Sequence, residues 1–258
     1  MLTTMMRSLR WLFAPAPREP FPSLCVPEWS EAMAEHQAPI WWRVKPYTKS
    51  SAERIVVLCQ SIAYLEKHNI PGAIVGCGVG KGGGMMAAAM ALMALESTRR
   101  QFYLHDTFAG MPAPAPVDVD WQGRPARDLL PSNQLHVRSS LHDVKQAMML
   151  TRYPWEKLIF VPGRVEQTIP EHTAGQIALL RLNTHWYDST YHNLEKLYPR
   201  LADGGIMIVD DYGAWQGARK AVDDYFQKKG MQVPLQPIDF AGRFILKKPQ
   251  PQWTAQAA

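Results

Sequence analysis

Cysteine is scarce in this chain. Its 258 residues hold three, Cys25, Cys59 and Cys77, an odd number without C-x-x-C or metal-finger spacing. A disulfide framework and a cysteine-held zinc are thereby excluded, and a reducing cytosolic compartment is expected. Long apolar runs are missing as well. The most apolar stretch, 85–95, ends at Glu96 and is shorter than the roughly 18 residues a membrane-spanning helix needs. There is also little excess of one charge. Lys and Arg number 28 against 23 Asp and Glu, a net +5, too small and too dispersed for the basic stripe of a nucleic-acid binder. Anionic small molecules stay compatible with it. What the chain does have is 47% hydrophobic residues, enough for a full core and too many for intrinsic disorder. The length suits a single α/β unit. Residues 1–15 place Arg7 and Arg10 before Trp11, Leu12 and Phe13, but Pro15 cuts this stretch short of a signal-peptide core. It reads as a loosely ordered arm or a short docking helix, and weak membrane-surface contact is a further role open to it.

The first forty-odd residues carry Pro15, Pro17, Pro20, Pro22, Pro27 and Pro39, so an arm and cap over 1–43 that adds little core is expected. Ser50, Ser51, Ala52 and Glu53 have the pattern of a capping box, and a helix to about residue 68 should follow it. Beyond Pro71 and Gly72, short apolar runs at 73–75, 101–105, 158–161, 177–182 and 205–209 alternate with amphipathic stretches near 84–98, 140–151, 189–201 and 215–229. That alternation predicts a parallel sheet with right-handed crossovers, covered by helices on both faces. Runs at 232–238 and 243–247 have no helix between them and predict a closing hairpin. Residues 112–133 break the rhythm with Pro, Asp and Gly around Trp121, Arg124 and Arg127. A binding lid and a solvated insertion are both open for this segment.

The glycine run Gly76, Gly78, Gly80, Gly82, Gly83 and Gly84 lies between the first strand and a helix. Glycine lets backbone approach a ligand, and a helix N-terminus offers unpaired amides, so a nucleotide or nucleoside fits here. Lys81 stands where the dinucleotide fingerprint requires glycine, and Gly82 where a phosphate loop requires Ser or Thr. The G-x-G-x-G spacing is the form seen in adenosylmethionine-dependent methyltransferases; close helix–strand packing is the alternative. Asp106 ends the second run, where a ribose would present two hydroxyls; a turn cap is the other role open to it. The fourth and fifth runs end in Asn183, Thr184, His185 and in Asp210, Asp211, neighbours on the carboxyl edge of a parallel sheet. Paired carboxylates there are relieved by a divalent cation, or else they form a turn.

Several segments together resemble the macrocin O-methyltransferase family: Tyr47-Thr48, the glycine loop, 104–112, 180–190, 201–213 and 216–223, with the similarity running from about 44 to 247. The resemblance implies a class I methyltransferase fold, Rossmann-like, with a mostly parallel seven-stranded sheet and a C-terminal antiparallel hairpin. It implies use of S-adenosyl-L-methionine and Mg²⁺, or Mn²⁺, to methylate a sugar hydroxyl of a small-molecule acceptor. On it, Thr48, Gly76, Gly78, Gly80, Asp106, Thr107 and Phe108 would bind the cofactor, and Asp210, Asp211 and Asn183 the metal.

The chain departs from the family pattern at four positions. Asn183 and His185 replace two aspartates, a metal ligand and the general base, while Gly76 and Gly80 replace Glu and the common Trp. Asn183 brings an oxygen without charge, and His185 is a neutral imidazole suited to act as base, as ligand, or as neither. The expectation is therefore an O-methyltransferase domain over 44–248 followed by a tail at 249–258, forming a homo-oligomer, with His185 catalytic. A homologue that binds adenosylmethionine with other chemistry or none is the alternative, and a nucleotide-dependent oxidoreductase the next.

Overall fold

A computed structural model describes residues 31–129 and 139–248. The N-terminal arm with Cys25 and the membrane-contact motif, residues 130–133 of the central insertion, and the 249–258 tail lie outside the described residues.

Seven strands form one sheet in the order β3-β2-β1-β4-β5-β7-β6: β1 Ala73–Cys77, β2 Phe102–Asp106, β3 Leu158–Pro162, β4 Ile177–Leu182, β5 Leu201–Val209, β6 Gln236–Pro237 and β7 Arg243–Leu246. The first five pair in parallel, and β7 runs antiparallel to both β5 and β6. This is the α/β architecture expected from the alternation of runs, with the closing hairpin in place. Chain direction along the order reverses between β1 and β4, which opens a crevice at their carboxyl ends.

Side-chain alternation divides the core between the two faces of the sheet. On β5, Ile206 and Ile208 face one layer while Met207 and Val209 face the other. The first layer holds α1 Glu31–Val44, α2 Ala52–Lys67, α3 Gly83–Ala94 and α5 Leu141–Met149; the second holds α7 Tyr187–Leu197 and α8 Gln216–Lys228. Two single-turn helices, α4 Ala126–Leu129 and α6 Val165–Thr168, sit in loops. Helix α3 is apolar on all sides, with Met85, Met86, Ala87, Ala88, Ala89, Ala91 and Leu92 buried, because it lies between the sheet and other helices. Its alanines and glycines let those neighbours come close.

Two local expectations change. Helix α1 runs across residue 43 and buries Ile40 and Val44 in the core. Prolines before it, and Pro39 within it, hide its periodicity in the sequence. At α2 the cap is Ser51, whose hydroxyl accepts from the Arg54 amide at 3.2 Å; Glu53 is one position too early to close a box. The reciprocal pattern occurs instead at α5, between Ser140 and Asp143. Residues 112–129 are held by two buried carboxylates. Asp118 accepts from the amides of Ala115 and Tyr187, both at 2.8 Å, and Asp120 accepts from the Gln122 and Arg124 amides and the Arg124 guanidinium. A merely solvated insertion needs no such anchors.

His105 on β2 is fully buried, and neither ring nitrogen has a partner. Burial, with a smaller contribution from His172, pushes its pKa down to about 4, against about 6.5 when unfolded. Between those values the unfolded chain binds a proton that the folded chain does not, so stability falls as pH drops from about 6.5 to about 4. Replacing His105 by Leu is expected to remove about 2–3 kcal/mol of that acid loss, read from urea unfolding at pH 7 and pH 4.5.

Candidate active site

The carboxyl ends of β1, β2, β3 and β4 enclose a cleft of about 140 Å³ that opens to solvent. Gly78 and Gly80 form one wall, Asp106 and Thr107 the next, and Asn183, Thr184 and His185 the far side. Each position follows from a backbone requirement. Gly78 adopts φ +76°, and a Cβ there would overlap the Asn183 carbonyl, so only glycine lets the β1 and β4 ends pass this closely. Gly80, at φ +55°, has open space where a side chain would go, which leaves the loop backbone bare toward the cleft.

Asp106 organises that wall. Its Oδ2 accepts from the Gly80 amide and its Oδ1 from the Phe108 amide, both at 2.9 Å. The carboxylate thus caps its own turn and also fixes the glycine loop, and each oxygen retains a lone pair for a ligand. Of the two roles open to Asp106 in the sequence, the turn cap is in place, and the residue also lines the cleft. Thr107 turns its hydroxyl to the Gly110 carbonyl while lining the cleft. Phe108, at φ +50°, packs its ring into the core and contributes only backbone.

Two expected cofactor contacts fall elsewhere. A Cβ on Gly76 would come 2.6 Å from the Met85 sulfur, so that glycine serves the packing of β1 against α3 and does not line the cleft. Thr48 lies against the start of α3, its Cβ 2.7 Å from where a Gly83 Cβ would stand, and its hydroxyl accepts from the Ser50 amide. It is a packing and turn residue here. The cleft also takes in Gly163, Arg164, Val165 and Glu166 after β3, with Ser139 and Met111. Met111 lies in a segment that carries the family resemblance; for those after β3, only their position following a parallel strand could have pointed to the cleft.

The second half of the site is an ion network beneath the loop. Arg181 points from β4 into the α2–α3 layer, 4% exposed, and donates to Asp210 Oδ2 and to Ser50 Oγ. A Cβ on Gly84 would overlap its guanidinium, so this glycine of the loop makes room for a cation of the protein itself. Arg54 donates to the Asp210 carbonyl at 3.1 Å and to Asp239 Oδ2 at 2.9 Å. Burial works to lower the Arg54 pKa, but Asp210, Asp239 and Asp211 outweigh it and the net shift is upward. Burial likewise drives the Asp210 carboxyl above its ordinary value against the pull of Arg181 and Arg54.

Asp211 faces the cleft side. Its Oδ1 lies 3.7 Å from His185 Nε2, and the His185 ring stands 5.6 Å from that of Trp186 and 6.0 Å from that of Trp215. Asn183 uses its amide nitrogen on the Gly78 carbonyl at 2.9 Å, so the residue ties the two walls together. Asp210 Oδ1 and Asp211 Oδ2 are buried and lack partners. Among the described residues no three His, Cys, Asp or Glu side chains are grouped as a metal site.

Comparison with known proteins agrees with this geometry. A model of the macrocin O-methyltransferase family matches residues 28–247. The chain belongs to the macrocin O-methyltransferase family. It is an adenosylmethionine-dependent methyltransferase, so the oxidoreductase alternative falls. The 8-demethyl-8-(2,3-dimethoxy-alpha-L-rhamnosyl)-tetracenomycin-C 4'-O-methyltransferase of Streptomyces olivaceus is 30% identical over 203 residues, covering 79% of this chain and 76% of that protein. Demethyldecarbamoylnovobiocin O-methyltransferase of Streptomyces niveus is 29% identical over 206 residues, 78% of this chain and 76% of its own. Among solved structures, the O-methyltransferase NovP superposes with a TM-score of 0.71 at 26% identity, covering 79% of this chain and 83% of that one. No helix among the described residues is long and apolar enough to cross a membrane.

Removing one partner of the buried Arg181–Asp210 pair leaves an uncompensated charge. Arg181→Met is expected to cost about 3–5 kcal/mol of stability. The double variant Arg181→Met/Asp210→Asn should recover at least half of it, both read from urea unfolding.

Proposed function

We propose that this enzyme transfers a methyl group to a hydroxyl of a sugar carried by a glycosylated small molecule, with His185 as the general base. The observation that carries the reading is the placement of His185: on the cleft wall beside Asn183 and Gly78, with the Asp211 carboxylate facing Nε2. The acceptor class rests on the family and on relatives such as the one named for a rhamnosyl-bearing tetracenomycin.

Adenosylmethionine, when bound, supplies an electrophilic methyl on a sulfonium and leaves as adenosylhomocysteine. Asp106 would hold its ribose hydroxyls with the lone pairs that the Gly80 and Phe108 amides leave over, and the bare backbone at Gly80 would admit its close approach. As the acceptor oxygen bonds to the methyl carbon, its proton passes to His185 Nδ1. Asp211 steadies the ring through Nε2 and stabilises the imidazolium that results. The charges favour this. The Asp211 carboxylate, its Oδ1 3.7 Å from His185 Nε2, places negative charge beside the ring and so favours its cationic form.

The two aspartates also bear on metal assistance. Asp210 Oδ1 and Asp211 Oδ2, both buried and unpartnered, suit a hard cation such as Mg²⁺ or Mn²⁺, with the Asn183 amide oxygen as a third donor. These three residues would hold it, and it would lower the pKa of the acceptor hydroxyl. Asn183 brings no charge and the guanidiniums already balance two carboxylates, which makes the site weaker than one built on an additional aspartate.

Asp106→Ala is expected to weaken adenosylhomocysteine binding more than tenfold in calorimetry, since charge-assisted hydrogen bonds contribute about 1.5–3 kcal/mol. Unchanged affinity would take Asp106 out of the cofactor site. His185→Ala should lower kcat at least a hundredfold while adenosylhomocysteine and Mg²⁺ affinities stay within twofold, and the acidic limb of the pH–rate profile should vanish. Cofactor binding without turnover in the wild type across a panel of glycosides would favour the non-methylating alternative.

A further inference from the structure

Two aromatic rings outside the cleft stay exposed although the segments that carry them are held firmly. Trp121 is 44% exposed and Phe240 48%, with ring centroids 5.5 Å apart and planes at 79°. Trp121 comes from the loop after β2, and Phe240 from the turn between β6 and β7. Both reach the segment that directly follows Asp211: the Trp121 amide donates to the Ala214 carbonyl at 3.0 Å, and the Gly213 amide to the Ala241 carbonyl at 2.9 Å. A Cβ on Gly213 would overlap the Phe240 backbone, so a glycine is what lets the turn close there. Behind Trp121, Asp120 bridges to Trp215, whose ring in turn stands 6.0 Å from His185. One backbone bridge and one ring contact thus connect the pair to His185.

Trp121 is held in water by a loop of fixed conformation. Its loop depends on the two buried carboxylates, Asp118 and Asp120, and burying such groups is unfavourable unless every bond is made. A T-shaped pair presents one ring face and one ring edge, which suits the offset stacking of a further flat ring.

We propose that Trp121 and Phe240 form a docking platform for the flat apolar ring system of the acceptor's aglycone, so that the attached sugar hydroxyl reaches His185. This rests on the reading of His185 as the acceptor end of the site. A second copy of the chain is a poorer occupant: two half-exposed rings offer about 200 Å², against roughly 800 Å² per partner in a stable interface.

The test uses the full chain, saturated with adenosylhomocysteine, and calorimetric titration of 4-nitrophenyl and methyl glycosides of the same sugars. Wild type should bind the aryl glycoside at least tenfold more tightly than the methyl glycoside. Trp121→Ala and Phe240→Ala should each weaken the aryl glycoside more than fivefold and the methyl glycoside less than twofold, with adenosylhomocysteine affinity unchanged. Equal affinity for both glycosides in the wild type, including no binding of either, overturns the platform, as does an aryl preference that survives both substitutions. Self-association by sedimentation, or binding to phosphatidylglycerol vesicles, that Trp121→Ala abolishes would assign the rings to another occupant and also overturn it. Failure of adenosylhomocysteine to bind wild type would count against the cofactor cleft instead, and the glycoside comparison without it still decides the platform.

Discussion

The buried contact between Arg181 and Asp210 is the constraint on which the site depends. It joins the carboxyl ends of β4 and β5 from inside the α2–α3 layer, where neither charge has water to fall back on. An unpaired ion in such a place would be strongly destabilising, so every element touching the pair is fixed by it. Gly84 lacks a side chain because the guanidinium fills that space. Ser50 gives Arg181 a second acceptor, and Arg54, one turn into α2, holds the Asp210 carbonyl and carries the connection on to Asp239 in the final hairpin. Helix α2, the glycine loop and the C-terminal turn are therefore parts of one electrostatic unit.

That unit places the chemistry. With Asp210 turned inward to the guanidinium, Asp211, the next residue, turns toward His185. The glycine-loop side of the cleft is built differently, from backbone. Gly78 passes the Asn183 carbonyl at close range, Gly80 leaves the loop bare, and Asp106 clamps the loop through two amides. Asn183 bridges the halves through its bond to the Gly78 carbonyl. An aspartate at position 183, acceptor-only when ionised, would not make that bond, so the amide here exchanges a unit of charge for a strap across the cleft.

The proposed acceptor side depends on buried acids of another kind. Asp118 and Asp120 tie residues 112–129 to the starts of α7 and α8, and Trp186 and Trp215 pack edge to face at 82° behind His185. A segment that looks structureless by composition is thereby a rigid wall.

Much of this was legible in the sequence, and the reasons are local. Strand and helix alternation, the glycine run between β1 and α3, an aspartate closing β2 and paired aspartates closing β5 are patterns of neighbouring residues, and they determine the sheet, its carboxyl-edge cleft and the family. Three features were decided only by the tertiary structure, because each depends on residues far apart in the chain. Gly76 and Gly84 sit in the same loop as Gly78 and Gly80, yet they answer to Met85 and Arg181 and not to a ligand. Asp210 and Asp211 are adjacent and chemically identical, but one meets a guanidinium contributed from β4 and the other an imidazole from the loop beyond it. Helix α1 is masked by prolines until Ile40 and Val44 find the core. Local sequence thus determined which groups lie on the sheet edge, whereas long-range burial and charge pairing, invisible to spacing alone, decided which of them face the cleft.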